Sequence, residues 1–136
     1  MTTKPETKFW KRIKNNASKI TYFRIEAVTP LGLPDLNGLF NDPEKGHGEF
    51  WIELKVTTGK RVNLSPAQIS WHMHRSKLGG KSFIMATPLV RGAISVYSGG
   101  RTLSLAQSGM DLEPCALFPE PIDWSGLETW FIDNVA

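Results

Sequence analysis

The chain has 136 residues, of which 40% are hydrophobic and 21% charged, as is typical of one compact domain, here residues 1–136. No apolar run approaches the roughly 18 residues that span a bilayer, and Met1 is not followed by the apolar stretch of a secretory signal. A cytoplasmic, non-membrane protein is therefore expected. The single cysteine, Cys115, excludes an internal disulfide and a multi-cysteine zinc site.

Positive charge is concentrated in the first three quarters of the chain. All 16 Lys and Arg residues lie at or before Arg101, together with seven of the 13 acidic residues. Residues 102–136 contain the other six acidic residues and no Lys or Arg. This predominantly basic part of the chain, residues 1–101, is called the basic body below. It favours a polyanionic partner such as nucleic acid. The alternative is a solvated surface with an uneven distribution of charge.

The first half of the chain predicts one helix followed by strands. Pro5 suits the first turn of a basic helix whose apolar side carries Phe9 and Ile13. The predicted elements are, in chain order, a helix at 5–18, a strand at 20–28, a loop at 29–34, a short strand at 35–40 and a turn at 41–48.

The clearest strand pattern covers residues 49–57, where the side chains alternate between two faces. One face carries apolar residues throughout: Phe50, Ile52, Leu54 and Val56. The other carries Trp51, Glu53 and Lys55. This strand is therefore expected to bury one face and to present charged groups on the other.

The second half predicts a helix, further strands and a final helix. Ser65, Pro66 and Gln68 form a capping-box pattern that opens a helix ending near Leu78. The remaining predicted elements are strands at 82–87 and 92–97, a third strand near 101–106, coil at 114–121 and a final helix opened by a second capping box at Ser125 and Glu128. This order predicts an α/β domain with a mixed β-sheet flanked by helices.

Three charged residues are predicted to converge on one strand face. Glu53 and Lys55 share that face, and a turn centred near residue 45 would place Asp35 opposite Lys55, one step from Glu53, at about 5 Å. A surface salt-bridge cluster is the alternative interpretation. The rigid Gly32-Leu33-Pro34 turn before Asp35 favours a carboxylate aimed at a site.

These residue types suit phosphodiester hydrolysis. Mg²⁺ prefers one or two carboxylates with waters and phosphate oxygens, which Asp35 and Glu53 can provide; Mn²⁺ is the alternative ion. The backbone carbonyl of Leu54 could complete the set of protein ligands. Lys55 would orient or activate the attacking water, or stabilise the charge on the phosphate.

Three segments together resemble the PD-(D/E)XK nuclease superfamily: Gly32 to Asp35, Phe50 to Lys55, and Gln68. The likeness is greatest to its small Holliday junction resolvase-like and VRR-NUC-like members, many of them encoded by phages, and it covers about residues 20–87. It implies a restriction-endonuclease-like core and Mg²⁺-dependent DNA cleavage. The implied roles are metal ligands for Asp35 and Glu53, the catalytic lysine for Lys55, and site support for Gln68, which fits helix capping equally well.

The resemblance leaves one acidic ligand open. Members often take a further glutamate from the first helix, where Glu6 is the candidate, and Glu26 on the first strand is its rival. His72 and His74 lie two apart on a helix and point to different sides, so they are interpreted as ordinary helix residues.

The expected partner is branched or duplex DNA. Predicted phosphate contacts are Lys60, Arg61, Lys77 and Lys81 beside the site, with Lys11 and Arg12 from the first helix; for any one of them a solvated charge is the alternative. A junction resolvase cuts two strands symmetrically, so a homodimer is expected. The acidic stretch from Asp111 to Asp133 is expected to face away from DNA or to meet a basic surface of a second subunit.

The leading function is therefore a structure-specific endonuclease that resolves Holliday junctions. A nicking, flap-cutting or restriction-type nuclease shares the same core, and the sequence does not separate these activities. A non-catalytic DNA-binding protein is the alternative from another functional class. Host cytoplasm is the expected location for a phage-encoded enzyme.

Overall fold

The computed structural model describes residues 4–26 and 32–136, which form a six-stranded sheet and four α-helices. The strands are β1 (Thr21–Arg24), β2 (Leu36–Asp42), β3 (Gly46–Thr57), β4 (Ser82–Pro88), β5 (Ile94–Ser98) and β6 (Ala116–Phe118). The helices are α1 (Pro5–Asn16), α2 (Pro66–Lys77), α3 (Thr102–Ser108) and α4 (Trp124–Val135). None of the helices described is long and apolar enough to cross a membrane.

The strands lie side by side in chain order, from β1 to β6. Every neighbouring pair is antiparallel except β3 and β4, which are parallel and joined by the crossover helix α2. The predicted α/β domain with a mixed sheet flanked by helices is thereby confirmed. β3 and β4 form the centre of the sheet.

Different helices cover the two faces of the sheet. On one face, α1 and α4 pack against an apolar core in which Phe50 of β3 stacks on Phe131 of α4, with ring centroids 4.8 Å apart. On the other face, α3 contributes Leu105 to a smaller apolar cluster with Val62, Ile84, Ala86 and Tyr97. The predicted alternation along β3 holds, because Phe50, Ile52 and Leu54 all belong to the core with α1 and α4.

The hairpin between β2 and β3 is tighter than the sequence predicted. Oδ1 of Asp42 accepts hydrogen bonds from the backbone N–H groups of Glu44 and Lys45, at 2.9 and 2.8 Å. Asp42 pairs with Gly46, and Leu36 pairs with Ile52. Continuing this register places Asp35 opposite Glu53 and corrects the predicted alignment with Lys55.

The second half departs from the prediction at three places. The strand expected near 101–106 is instead helix α3, and the expected coil at 114–121 contains β6. The last helix is capped by Asp123, which accepts from the N–H of Gly126 at 2.9 Å, so Ser125 and Glu128 do not form the predicted capping box. Residues 27–31, which include the end of the predicted first strand and part of the following loop, lie outside the described residues.

Candidate active site

Asp35 is held at the junction of three strands. Its Oδ2 accepts a hydrogen bond from the backbone N–H of Leu54 on β3, at 2.7 Å. Its own carbonyl accepts from the N–H of Ile25, which follows β1, also at 2.7 Å. The carboxylate is therefore fixed beside the segment of β3 that carries Glu53 and Lys55.

Gly32 lets the segment before Asp35 approach the start of α2. Its φ is +72°, and a Cβ at this position would lie 2.3 Å from the carbonyl oxygen of Ala67. Only glycine combines a positive φ with so close an approach of two backbones. The Gly32-Leu33-Pro34 turn, recognised in the sequence as a device that aims Asp35, is thus packed directly against the helix that carries Gln68.

Gln68 caps α2 and also contacts Lys55 and Glu53. The capping box with Ser65 is present in both directions. Oε1 of Gln68 also accepts from Nζ of Lys55 at 3.1 Å, and its Nε2 donates to Oε2 of Glu53 at 3.3 Å. The start of α2 therefore links the lysine to one of the carboxylates.

The acidic side chains of Asp35, which is half-buried, and Glu53, which is buried, lie close together. Burial, followed by the negative charge of neighbouring Glu53, raises the pKa of Asp35 from 3.8 to about 7. Burial also raises the pKa of Glu53, against the lowering effects of its contact with Asp35 and the charge of Lys55. Two carboxylates in one poorly solvated place are an unfavourable arrangement that a bound cation would relieve.

His72 contacts the buried Glu53, although its position in the sequence predicts an ordinary helix residue. Its side chain is fully buried, Nδ1 lies 2.9 Å from Oγ of Ser82, and Nε2 lies 3.5 Å from Oε1 of Glu53. Burial and the charge of Lys55 lower the pKa of His72 to about 4. The available signal was its position one turn after Gln68, on the same helix face. His74 is exposed.

A polar cleft of about 660 Å³ opens over these residues. Its walls include Asp35, Glu53, Leu54, Lys55 and Gln68, together with the basic residues Lys4, Arg24, Lys60 and Arg61. Glu6 of α1 is also on the wall, whereas Glu26 is not among the described residues that line it. Of the two candidates for a further acidic group, the structure brings Glu6 to the cleft.

The predicted phosphate contacts separate into two groups. Lys60 and Arg61 line the cleft, while Lys77, Lys81, Lys11 and Arg12 are not among the described residues that do so. Arg12 instead forms a salt bridge with Glu120 at 3.1 Å and lies over the ring of Trp124.

Acidic residues of the C-terminal segment pair with basic residues of the same chain. Besides the bridge from Arg12 to Glu120, Lys60 approaches Asp111 at 3.0 Å and Lys45 approaches Asp133 at 3.7 Å. Part of the segment therefore folds back onto the basic body. Glu128 is buried and accepts hydrogen bonds from the backbone of Ser18, Lys19 and Ile20.

The donor atoms fit a hard cation that keeps much of its water. Within residues 4–26 and 32–136, no group of three or more His, Cys, Asp or Glu side chains is arranged to hold a metal ion. Asp35 and Glu53 supply two carboxylates, and the carbonyl of Leu54 points to the same side of β3 as the N–H that contacts Asp35. Mg²⁺ is commonly bound by such a small protein set completed by waters and substrate oxygens.

Comparison with solved structures finds a likeness over most of the chain. The chain is similar to Hjc, a Holliday junction resolvase from the archaeal hyperthermophile Archaeoglobus fulgidus, with 13% sequence identity and a TM-score of 0.48. The likeness covers 71% of this chain and 74% of Hjc. No family model matches the sequence, and no curated protein matches it.

Proposed function

We propose that this protein is a metal-dependent DNA nuclease that hydrolyses phosphodiester bonds in the cleft beside β3. The observation that carries the proposal is the buried carboxylate of Glu53 beside the half-buried carboxylate of Asp35, next to Lys55 at the wall of a cleft with basic residues. A salt-bridge cluster on the surface would not bury its carboxylates, since exposed ion pairs contribute little and remain solvated.

Asp35, Glu53 and the carbonyl of Leu54 would hold Mg²⁺ or Mn²⁺. A divalent cation at such a site supplies charge neutralisation for the phosphate and lowers the pKa of a bound water. The protein's own part is to keep both carboxylates oriented, which the N–H of Leu54 does for Asp35 and the amide of Gln68 does for Glu53. Glu6 of α1 lies on the wall of the same cleft, but in the described part of the chain it does not form a group of three metal ligands with these carboxylates.

Lys55 is the proposed catalytic lysine. Gln68 accepts from its Nζ and so directs the ammonium group along the wall of the cleft. From there the ammonium would orient the attacking water or stabilise the negative charge that develops on the phosphate. Because Gln68 contacts both Lys55 and Glu53, it would fix the separation between the catalytic lysine and a metal ligand.

The proposed substrate is branched DNA, with resolution of Holliday junctions as the specific activity. Lys60 and Arg61, together with Lys4 and Arg24, would contact phosphates at the cleft. Symmetric cutting of a four-way junction needs two active sites, so the proposed active form is a homodimer. A nicking, flap-cutting or restriction-type nuclease would use the same carboxylates and lysine on another DNA structure.

The deciding experiment incubates the protein with Mg²⁺, Mn²⁺ or Ca²⁺ and a panel of duplex, single-stranded, flap and four-way junction DNAs. We expect cleavage with Mg²⁺ or Mn²⁺, binding without turnover with Ca²⁺, and no cleavage in excess EDTA, because the larger and looser Ca²⁺ shell positions water poorly. Product mapping on the junction distinguishes symmetric resolution from the other nuclease activities. Sedimentation of the free protein and of its DNA complex gives their masses and so tests whether the active form is a homodimer.

Matched variants separate catalysis from folding. Asp35→Asn and Glu53→Gln should abolish cleavage while largely sparing DNA binding. Glu49→Gln is the control, because Glu49 lies on the same strand but is exposed, and it should cut at the wild-type rate. Cleavage at the wild-type rate by either site variant, or full activity in EDTA, contradicts the metal site. DNA binding without cleavage of any substrate by the wild-type protein would favour a non-catalytic DNA-binding protein.

A further inference from the structure

Each carboxylate oxygen of Glu53 faces one residue of α2. Oε2 accepts from the side-chain amide of Gln68 at 3.3 Å, and Oε1 lies 3.5 Å from Nε2 of His72. These two residues are one helical turn apart and therefore lie on the same face of the helix. Oε1 of Glu53 and Nε2 of His72 are both buried, and neither atom has another hydrogen-bond partner in the described part of the chain; the 3.5 Å between them is at the long limit for such a bond.

We propose that His72 is a positioning residue whose Nε2–H group donates to Oε1 of Glu53 and so fixes the rotation of that carboxylate. Together with Gln68, it would hold Glu53 from both oxygens and leave their remaining lone pairs for a ligand in the cleft. The hydrogen bond stands on the observed geometry, whereas its value for cation binding rests on the function proposed above.

The Ser82 hydroxyl is compatible with a hydrogen on Nε2 of His72, because a hydroxyl can either donate to Nδ1 or accept from it. The Ser82 hydroxyl is buried on β4, 2.9 Å from Nδ1. When that hydroxyl donates to Nδ1, the hydrogen of a neutral imidazole must be on Nε2, the atom that faces Glu53. The opposite tautomer would direct the lone pair of Nε2 at a carboxylate oxygen, which is repulsive.

The backbone leaves room for this pair of side chains. A Cβ at Gly99, just after β5, would lie 2.1 Å from Oγ of Ser82 and 3.4 Å from Nδ1 of His72. A larger residue at this position would displace the serine hydroxyl. The series of side-chain contacts from Ser82 through His72 to Glu53 is thus supported by three elements: α2, β4 and the turn after β5.

Such an outer partner has a measurable consequence for a ligating carboxylate. Groups that orient metal ligands through hydrogen bonds typically change metal affinity by about 10–100-fold when removed. The Glu53 carboxylate would otherwise rotate about its last torsion, and Oε1 would remain buried without a donor. Removing His72 should therefore weaken cation binding more than it changes the fold.

The hydrogen bond itself is tested first, on the wild-type protein without metal or DNA. Long-range ¹H–¹⁵N NMR spectra of the imidazoles report which nitrogen of His72 is protonated. We expect the hydrogen on Nε2, where it faces Oε1 of Glu53. A His72 ring protonated on Nδ1 alone in the wild-type protein overturns the proposal, whatever the protein does to DNA.

Cation binding is tested second, with Mn²⁺ titrated calorimetrically into the full-length chain. His72→Leu should weaken Mn²⁺ binding by about tenfold or more and lower kcat at saturating DNA. His72→Gln, whose amide nitrogen can replace Nε2 as the donor, should bind Mn²⁺ within a few-fold of wild type. His74→Leu is the control on the exposed side of the same helix and should match wild type.

The outcomes separate the two proposals. Wild-type Mn²⁺ affinity in a folded His72→Leu protein, or equal losses in the leucine and glutamine variants, would show that His72 only packs. If the wild-type protein itself binds no Mn²⁺, the nuclease proposal fails, and the NMR tautomer alone decides the hydrogen bond.

Discussion

The two faces of the sheet are filled by different kinds of residue. The core that contains α1 and α4 includes 15 buried hydrophobic residues, with Phe50, Phe83 and Phe131 in mutual ring contact. The apolar cluster on the opposite face has five, and beside it lie the buried polar side chains of Glu53 and His72. The face with α1 and α4 buries one carboxylate, Glu128, which accepts from three backbone N–H groups. The other face gives up part of its apolar packing to hold Glu53 and His72 together.

This difference predicts opposite responses to substitution. On the face with α1 and α4, shortening a side chain removes apolar contacts and leaves a cavity, so the protein should lose stability. On the face with α2, the carboxylates are buried at a cost, so neutralising one of them should preserve or increase stability while removing the chemistry. Each prediction below tests one side of this contrast.

The largest expected effect is on the apolar face. Phe131 is fully buried and stacked on Phe50, so Phe131→Ala should lower the free energy of unfolding by about 3–5 kcal/mol. Denaturant unfolding monitored by circular dichroism measures this loss of free energy. Phe23→Ala is the matched control, because Phe23 is 50% exposed, and its loss should be much smaller. Similar losses in the two variants would contradict the assignment of the core.

The next largest effect is a gain in stability, expected on replacing Asp35. Asp35 has a pKa of about 7 in the folded protein against 3.8 ordinarily, so the folded state binds the extra proton between these values. The contribution of Asp35 to the free energy of unfolding is therefore highest below about pH 4 and falls as the pH rises to about 7. In EDTA at pH 8, Asp35→Asn should be more stable than wild type by up to about 4 kcal/mol, the limit set by this shift, and the gain should vanish near pH 4.

Asp42→Asn is the control for the direction in which stability changes with pH. Hydrogen bonds from the backbone N–H groups of Lys45 and Glu44 lower the pKa of Asp42, so its contribution is present at neutral pH and is lost in acid. This variant should be less stable than wild type at pH 8, and the difference should shrink as the pH falls. An Asp35→Asn protein less stable than wild type at pH 8 would show that the Asp35 carboxylate is not buried at a cost.

The third effect concerns chemistry without a large change in folding. Lys55→Met should lower kcat by about 10²-fold or more, the usual contribution of one positioned catalytic group. Single-turnover cleavage of the best DNA substrate is the measurement. Lys45→Met is the control, since Lys45 is an exposed lysine in the β2–β3 hairpin. Equal rates for the two lysine variants would remove Lys55 from the mechanism.

The smallest effect is electrostatic. Lys60 and Arg61 line the cleft, whereas Lys77 and Lys81 do not, although the sequence predicted phosphate contacts for all four. Changing Lys60 and Arg61 together to Gln should reduce the salt dependence of DNA binding by about one phosphate contact each. The matched double change at Lys77 and Lys81 should leave the slope as in wild type. Equal slopes for the two double variants would place DNA outside the cleft or across both regions.

Local patterns in the sequence were sufficient for much of the fold. The capping box at Ser65 and Gln68 and the alternation along β3 involve neighbours in the chain, so residue type alone specifies them. The hairpin register was wrong by two residues because the turn is closed by the Asp42 side chain. That bond shortens the turn to a length that composition does not reveal.

The remaining errors come from tertiary contacts. Leu103 and Leu105 alternate as in a strand, yet they lie in helix α3, and of these two leucines Leu105 is buried and Leu103 is exposed. His72 could be placed on the same helix face as Gln68, but its burial against Ser82 depends on how β4 and the turn at Gly99 pack behind it. Pattern analysis places a residue on a face, while the partner across that face is set by the rest of the chain.

The separation of the contacting residues along the chain has a consequence for the order of folding. The described site residues between Gly32 and Ser82 lie on or next to β2, β3, α2 and β4, which are joined by one hairpin and one crossover. The face with α1 and α4 is instead closed by contacts between distant residues, such as Ser18 with Glu128 and Arg12 with Glu120, 110 and 108 positions apart. Closing long loops costs more entropy and slows the step. The strands next to Asp35 and Glu53 and the crossover helix α2 are therefore expected to associate first. Helices α1 and α4 are expected to pack against the sheet afterwards.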